Sequence, residues 1–262
     1  FQTPNLINLH AGAALASDLA ADSTAIYEQW LDETGSFVSG ASAGTRHAAA
    51  AWVEGILAQA WQVTRRTPYV NDCVFSDSST LPVSMEHALW LAEEKNQLRE
   101  WDPAKANALS TDLANVRRVL AEKDEALAIA ETMVTHARGG HPGLTAAAQA
   151  DLVNRLEISV RYTRAFRIVA HAIMLTKYML QPAGDGEPVV NEFAELLHER
   201  LSDLISLASE LKQFGESTSF QHVVYTLLDP ERLLALHGDL CRRLAAQGIF
   251  DPRSGRITHE TF

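Results

Sequence analysis

Ten histidines are the first residues that could do chemistry in this chain, because neutral imidazole is the commonest protein ligand for zinc. Helical metal sites pair their ligands three or four residues apart, as in HExxH. His10, His47, His87 and His171 fall in helical segments, and His136 and His141 straddle a Gly-Gly helix end. None of them pairs at that spacing, so they read as ordinary surface or core histidines, and no metal ligand is assigned. Cys73 and Cys241 read as thiols with no histidine close by in sequence, and whether they pair is left open. Two carboxylates held roughly 5 to 9.5 Å apart could hydrolyse a glycoside. The acidic residues here run instead along helix surfaces, as in Glu93-Glu94 and Glu122 to Glu125. There is no GxSxG elbow, no Walker loop and no GxGxxG after a strand. The serines of Ser76 to Ser84 suit turns and caps. No catalytic residue and no cofactor is expected.

The aromatic residues carry a more specific signal. Trp61, Tyr69, Phe75, Trp90 and Trp101 border the stretch Pro68 to Pro82, PYVNDCVFSDSSTLP, which is rich in Asn, Asp and Ser between two prolines. Exposed aromatic faces stack on sugar rings, while Asn71, Asp72 and Asp77 could hydrogen-bond hydroxyl groups. The competing expectation is that these aromatics form the core beneath the loop.

The net charge of −11 excludes a nucleic-acid partner, because phosphate binding needs clustered cations. Arg161, Arg164 and Arg167 form a three-residue stripe that reads as a salt-bridged helix face. No apolar run reaches the ~18 residues of a membrane span; Ile168 to Leu180 is interrupted by His171 and Lys177, and no membrane contact is expected.

The elements that must position these residues are helices. Asn5 to Leu19 carries a helical stripe, Asp22 caps a second helix to about Thr34, and Gly35, Gly40 and Gly44 mark a loop. A third helix covers about Ala43 to Thr64, and Ser84 caps the next, which carries Met85, Leu89 and Trp90. Asp102 and Pro103 fit the start of a long helix. Along it Leu109, Leu113, Val116, Leu120, Leu127, Ala130 and Val134 follow four–three steps, with Lys123 the single interruption. Gly139 and Gly140 end it. A second long helix runs from about Leu144 to Leu180 over Leu152, Leu156, Phe166, Ala170 and Ile173. Gly184, Gly186 and Pro188 break the chain. The third long helix carries Phe193, Leu197, Leu201, Leu204, Ala208 and Leu211. Gly215 to Ser219 reads as a loop, Asp229-Pro230 opens a C-terminal helix to about Gln247, and the remaining tail is expected to be loose. The fold class is all-α: shorter N-terminal helices (residues 1–102) packed on a bundle of three long antiparallel helices, each about 40 to 55 Å long, plus a C-terminal helix (103–262).

Asn5 to Ser36, NLINLHAGAALASDLAADSTAIYEQWLDETGS, resembles the start of the helical region that follows the catalytic barrel in α-glucuronidase-like glycoside hydrolases. The counterparts of that group's pattern are Asn8-Leu9-His10, Asp18, Ile26 and Trp30. Glu122 to Met133 is similar to helical regions attached to related carbohydrate-active enzymes. Where the family has Gly-Leu-His-His after the third helix, this chain has Tyr69-Val-Asn-Asp-Cys-Val-Phe75, so the resemblance does not reach glucuronic acid specificity. It implies a bacterial, periplasmic or secreted parent with a catalytic barrel; the chain opens on Phe1 and reads as a piece of that parent. The expected function is a non-catalytic helical module that binds a glycan, such as a xylan-type polysaccharide, or completes a substrate cleft. Its ligand-binding residues would be Trp61, Tyr69, Asn71, Asp72, Phe75, Asp77, Trp90 and Trp101. The alternative is an interaction module that forms a homodimer through its heptad seams.

Overall fold

A computed structural model describes residues 6–76, 79–95, 100–105, 107–181 and 187–257. The protein is all-α, packed as a helical bundle, with two small hairpins among the described residues. It divides into two compact units, Phe1–Val63 with Ala128–Arg161, and Thr64–Leu127 with Tyr162–Phe262. This partition differs from the linear halves read at 102/103, because two long helices bury their two halves in different cores. No described helix is long and apolar enough to cross a membrane.

In the first unit, α1 (Leu6–Ser17), α2 (Ser23–Glu33), α3 (Ala43–Leu57) and α4 (Ala60–Thr64) follow one another. Asp22 caps α2 as its sequence predicts, accepting from the Ala25 N–H at 3.0 Å. The single helix expected over residues 43–64 is in fact two. Its ladder tightens after Ala58, where Gln59 bonds back only three residues, to the Ile56 carbonyl. Trp30, Leu31, Ala49, Ala50, Val53 and Ile56 pack with Met133, Val134, Leu152 and Leu156 of the long helices. At Gly143 the chain passes close to backbone: a Cβ there would stand 3.0 Å from the Thr45 carbonyl oxygen.

The second unit is built on the first part of α6 (Leu113–Arg138), the last part of α7 (Ala146–Met179) and α8 (Glu187–Ser217). Within it Asp124 bonds Arg167 and the Leu120 carbonyl meets His171, so α6 and α7 run antiparallel. Arg164 bonds Glu210, and Tyr178 lies edge-on to Phe193 at 5.1 Å, so α8 reverses again. From Ala165 to Thr176 only Arg167 reaches the surface, which makes α7 the central helix. The predicted seam of α8, Phe193 to Leu211, is wholly buried. Asp229 caps α10 (Pro230–Ala246), and its Leu233, Leu236, Leu240 and Leu244 close the core.

Several expectations need correction. α6 begins at Leu113 and not at Pro103, which sits in a short 3-10 turn (Pro103–Lys105). The Asp112 carboxylate accepts from the Asn115 N–H at 2.9 Å and supplies the cap that Asp102 was expected to give. Gly215 lies inside α8, and α9 (Gln221–Leu227) fills the stretch before Asp229. The tail to Ile257 forms a hairpin, β3 (Phe250–Asp251) with β4 (Arg256–Ile257), because Ile249 and Ile257 bury against the bundle.

Candidate functional site

The irregular stretch after Thr67 folds as a two-residue hairpin in the second unit. β1 (Tyr69–Val70) pairs antiparallel with β2 (Cys73–Val74) across Asn71 and Asp72. Both turn residues adopt positive φ, 51° and 62°, the type I′ geometry that Asn and Asp tolerate because their short side chains bond locally. Val70, Cys73 and Phe75 anchor the hairpin in the core, with Leu81 and Pro82 further along.

Two other segments meet it. α5 (Met85–Leu89) is capped by Ser84, whose hydroxyl accepts from the His87 N–H at 3.1 Å. The chain then widens into a π-helical turn, Trp90–Glu94, against which β2 packs. Lys105, closing the 3-10 turn, donates to the Asn71 side-chain oxygen at 3.2 Å and to the Asp72 carboxylate at 2.7 Å. That hydrogen bond, helped by the charges of Lys105 and Arg65, holds Asp72 below the usual carboxylate range.

Of the eight residues predicted to bind ligand, Tyr69, Asn71 and Asp72 share the hairpin, and Trp90 opens the π turn against which β2 packs. Trp101 stands four residues before Lys105 and is 86% exposed; Trp90 is 40% exposed, with the Lys95 ammonium 5.3 Å from its ring centroid. Tyr69 is half-buried. Phe75 is corrected: it has no exposed surface and serves the core, so no ring face is left for a sugar. Trp61, 67% exposed, belongs to α4 of the first unit. Asp77 lies outside the described residues.

No protein family model matches this chain, and no curated protein or solved structure does either.

What sequence reasoning missed is cationic. Lys123, the interruption of the α6 seam, is 1% exposed, and its ammonium donates to the backbone carbonyls of Arg66, Thr67 and Tyr69. Burial pushes it down to about 8, against the pull of Glu122 at 3.3 Å. Lys177 of α7 donates to Glu93 in the π turn at 2.7 Å and to the Leu109 carbonyl at 2.8 Å. Neither contact leaves a local pattern, since the partners lie more than 50 residues away.

His237 was also overlooked. It precedes Cys241 by one turn of α10, and its Nε2 lies 3.5 Å from the Cys241 sulfur, which corrects the reading that no histidine accompanies either cysteine. Cys73 and Cys241 do not form a disulfide. Among the described residues no three His, Cys, Asp or Glu side chains converge to hold a metal ion.

Proposed function

We propose that this chain is a non-catalytic helical module of a bacterial polysaccharide-degrading protein and that it binds a glycan at the hairpin face of its second unit. The observation that carries the reading is the exposure of Trp101 and Trp90 on the two segments that flank the Asn71-Asp72 turn. A bare indole in water forgoes the burial that large aromatics normally gain, so an exposed pair near amide and carboxylate groups is suited to a ring-shaped, hydroxylated ligand. The likeness of Asn5 to Ser36 to the helical region of α-glucuronidase-like hydrolases supports the same reading and makes xylan-type polysaccharides the first ligands to try.

Isothermal titration against a panel of plant polysaccharides and their oligosaccharides tests it. Binding should appear with at least one of them, and Trp101→Ala and Trp90→Ala should each weaken it by about tenfold. Flat traces throughout the panel would reject the proposal.

A second reading, a dimerising module, is favoured by exposed Ile205, Tyr225 and Leu234 on α8, α9 and α10. The α8 seam itself is consumed in the chain's own core, so a dimer would have to use these residues. Light scattering at high concentration that shows a strict monomer would dismiss it.

A further inference from the structure

The carbonyls of residues 66 to 69 are divided between two directions. The Pro68 carbonyl accepts from the Phe75 N–H at 2.9 Å and so belongs to the hairpin. The carbonyls of Arg66, Thr67 and Tyr69 instead converge on one point, where the Lys123 ammonium lies, with the Thr67 contact at 3.2 Å. An ammonium has three donors, and here each finds a carbonyl oxygen. Glu122, itself 3.3 Å from Arg118, adds a carboxylate oxygen at 3.3 Å. The walls are fixed from outside. Arg66 pairs with Glu125 at 3.3 Å, and the Thr67 hydroxyl lies 3.4 Å from that of Thr163 on α7.

Convergent backbone carbonyls with one carboxylate are the donor set that strips water from a monovalent cation, as carbonyl rings do in potassium filters. A buried charge is tolerated only where such partners replace its hydration. Nothing in the geometry requires the cation to be covalently attached.

We propose that the carbonyl oxygens of Arg66, Thr67 and Tyr69, with the Glu122 carboxylate, form a monovalent-cation site whose resident is the tethered ammonium of Lys123, and that filling this site holds the hairpin against α6. The inference does not depend on what the hairpin binds. It predicts that a free cation of similar size, ammonium or potassium, will take the place of a deleted lysine.

The test is Lys123→Ala in the full chain, read by hydrogen exchange of the amides of residues 69–75. Their protection should fall by about a hundredfold, since three carbonyls and a carboxylate lose the ammonium on which they converge. Ammonium or potassium chloride should restore it in a saturable way, and tetramethylammonium chloride at equal ionic strength should not. Lys123→Met, which refills the stem volume and leaves no room for an ion, should lose the same protection without rescue. Wild-type protection in Lys123→Met, a loss in Lys123→Ala that neither cation relieves, or relief by tetramethylammonium would each overturn the proposal. If neither lysine variant folds, Glu122→Gln decides. Hairpin exchange should then rise by about threefold or more on losing the anionic wall, and unchanged exchange would sink the idea.

Discussion

Lys177 and Glu93 meet at 2.7 Å, tying the central helix α7 to the π-helical turn that carries Trp90. The same ammonium also donates to the Leu109 carbonyl just before α6, so one side chain ties both segments to α7. Both charged groups are about three-quarters buried, which keeps solvent from screening the pair as it would at the surface. Lys177→Met is therefore expected to lower stability by about 1–3 kcal/mol, because it removes two charge-assisted hydrogen bonds from a largely buried place. Urea denaturation gives the size, and Trp90 emission should become more water-like before global unfolding. An unchanged urea midpoint would mean the pair contributes nothing.

His171 supplies a pH dependence. It is buried on α7, its Nε2 is 3.0 Å from the Leu120 carbonyl, and its Nδ1 has no partner. That arrangement fits a neutral ring donating through Nε2. Burial holds its pKa down at about 4, with the nearby Asp124 pulling the other way. Since the folded value lies below the unfolded one near 6.5, the unfolded chain binds the extra proton first as the medium acidifies. The stability this group contributes is complete above about pH 6.5 and is lost as pH falls through about 4, with a slope on the order of 1 kcal/mol per pH unit. Urea midpoints measured over this range should show that slope, and His171→Gln should flatten it. A variant that keeps the full slope would assign the acid sensitivity to other groups.

The long helices could be read from sequence because each carries its information locally. Phe193 to Leu211 repeats at four–three spacing and is buried at every step, and Asp22, Ser84 and Asp229 cap the helices they precede. The hairpin could not be read in the same way. Strands of two residues, Tyr69–Val70 and Cys73–Val74, are too short to show alternation. The most instructive case is Lys123. In a heptad pattern it reads as a break, yet it is more deeply buried than the seam's own Leu120. What makes that burial tolerable is a set of carbonyls some 54 to 57 residues earlier in the chain, and periodicity holds no record of them. Exposure of Trp90 and Trp101 was equally hidden, because composition near a loop does not say which aromatic will plug the core, as Phe75 does.

The turn at Asn71-Asp72 can be tested apart from its ion pair. Asp72→Gly and Asp72→Ala both remove the carboxylate that Lys105 holds, so the difference between them reports the backbone alone. With φ at 62°, a Cβ is disfavoured and glycine is not. Asp72→Ala should therefore be less stable than Asp72→Gly by about 1 kcal/mol in urea denaturation. Equal stabilities would show that the turn is not held in the left-handed conformation in solution.

Cys241 and His237 look like an activated pair by distance, but the electrostatics argue against it. Burial raises the Cys241 pKa, offset only partly by Arg242, and burial lowers that of His237. A neutral thiol beside a neutral imidazole has no cation to draw out its proton, and the thiolate is the reactive form. Native protein should therefore react with iodoacetamide at one thiol, Cys241, more slowly at pH 7 than an unhindered cysteine and faster as pH rises. Cys73, a buried residue of strand β2, should react only after denaturation. His237→Ala should leave the Cys241 rate within about twofold of the parent. A tenfold drop in that variant would show that the imidazole does activate the sulfur, and mass spectrometry of the alkylated peptides distinguishes the two outcomes directly.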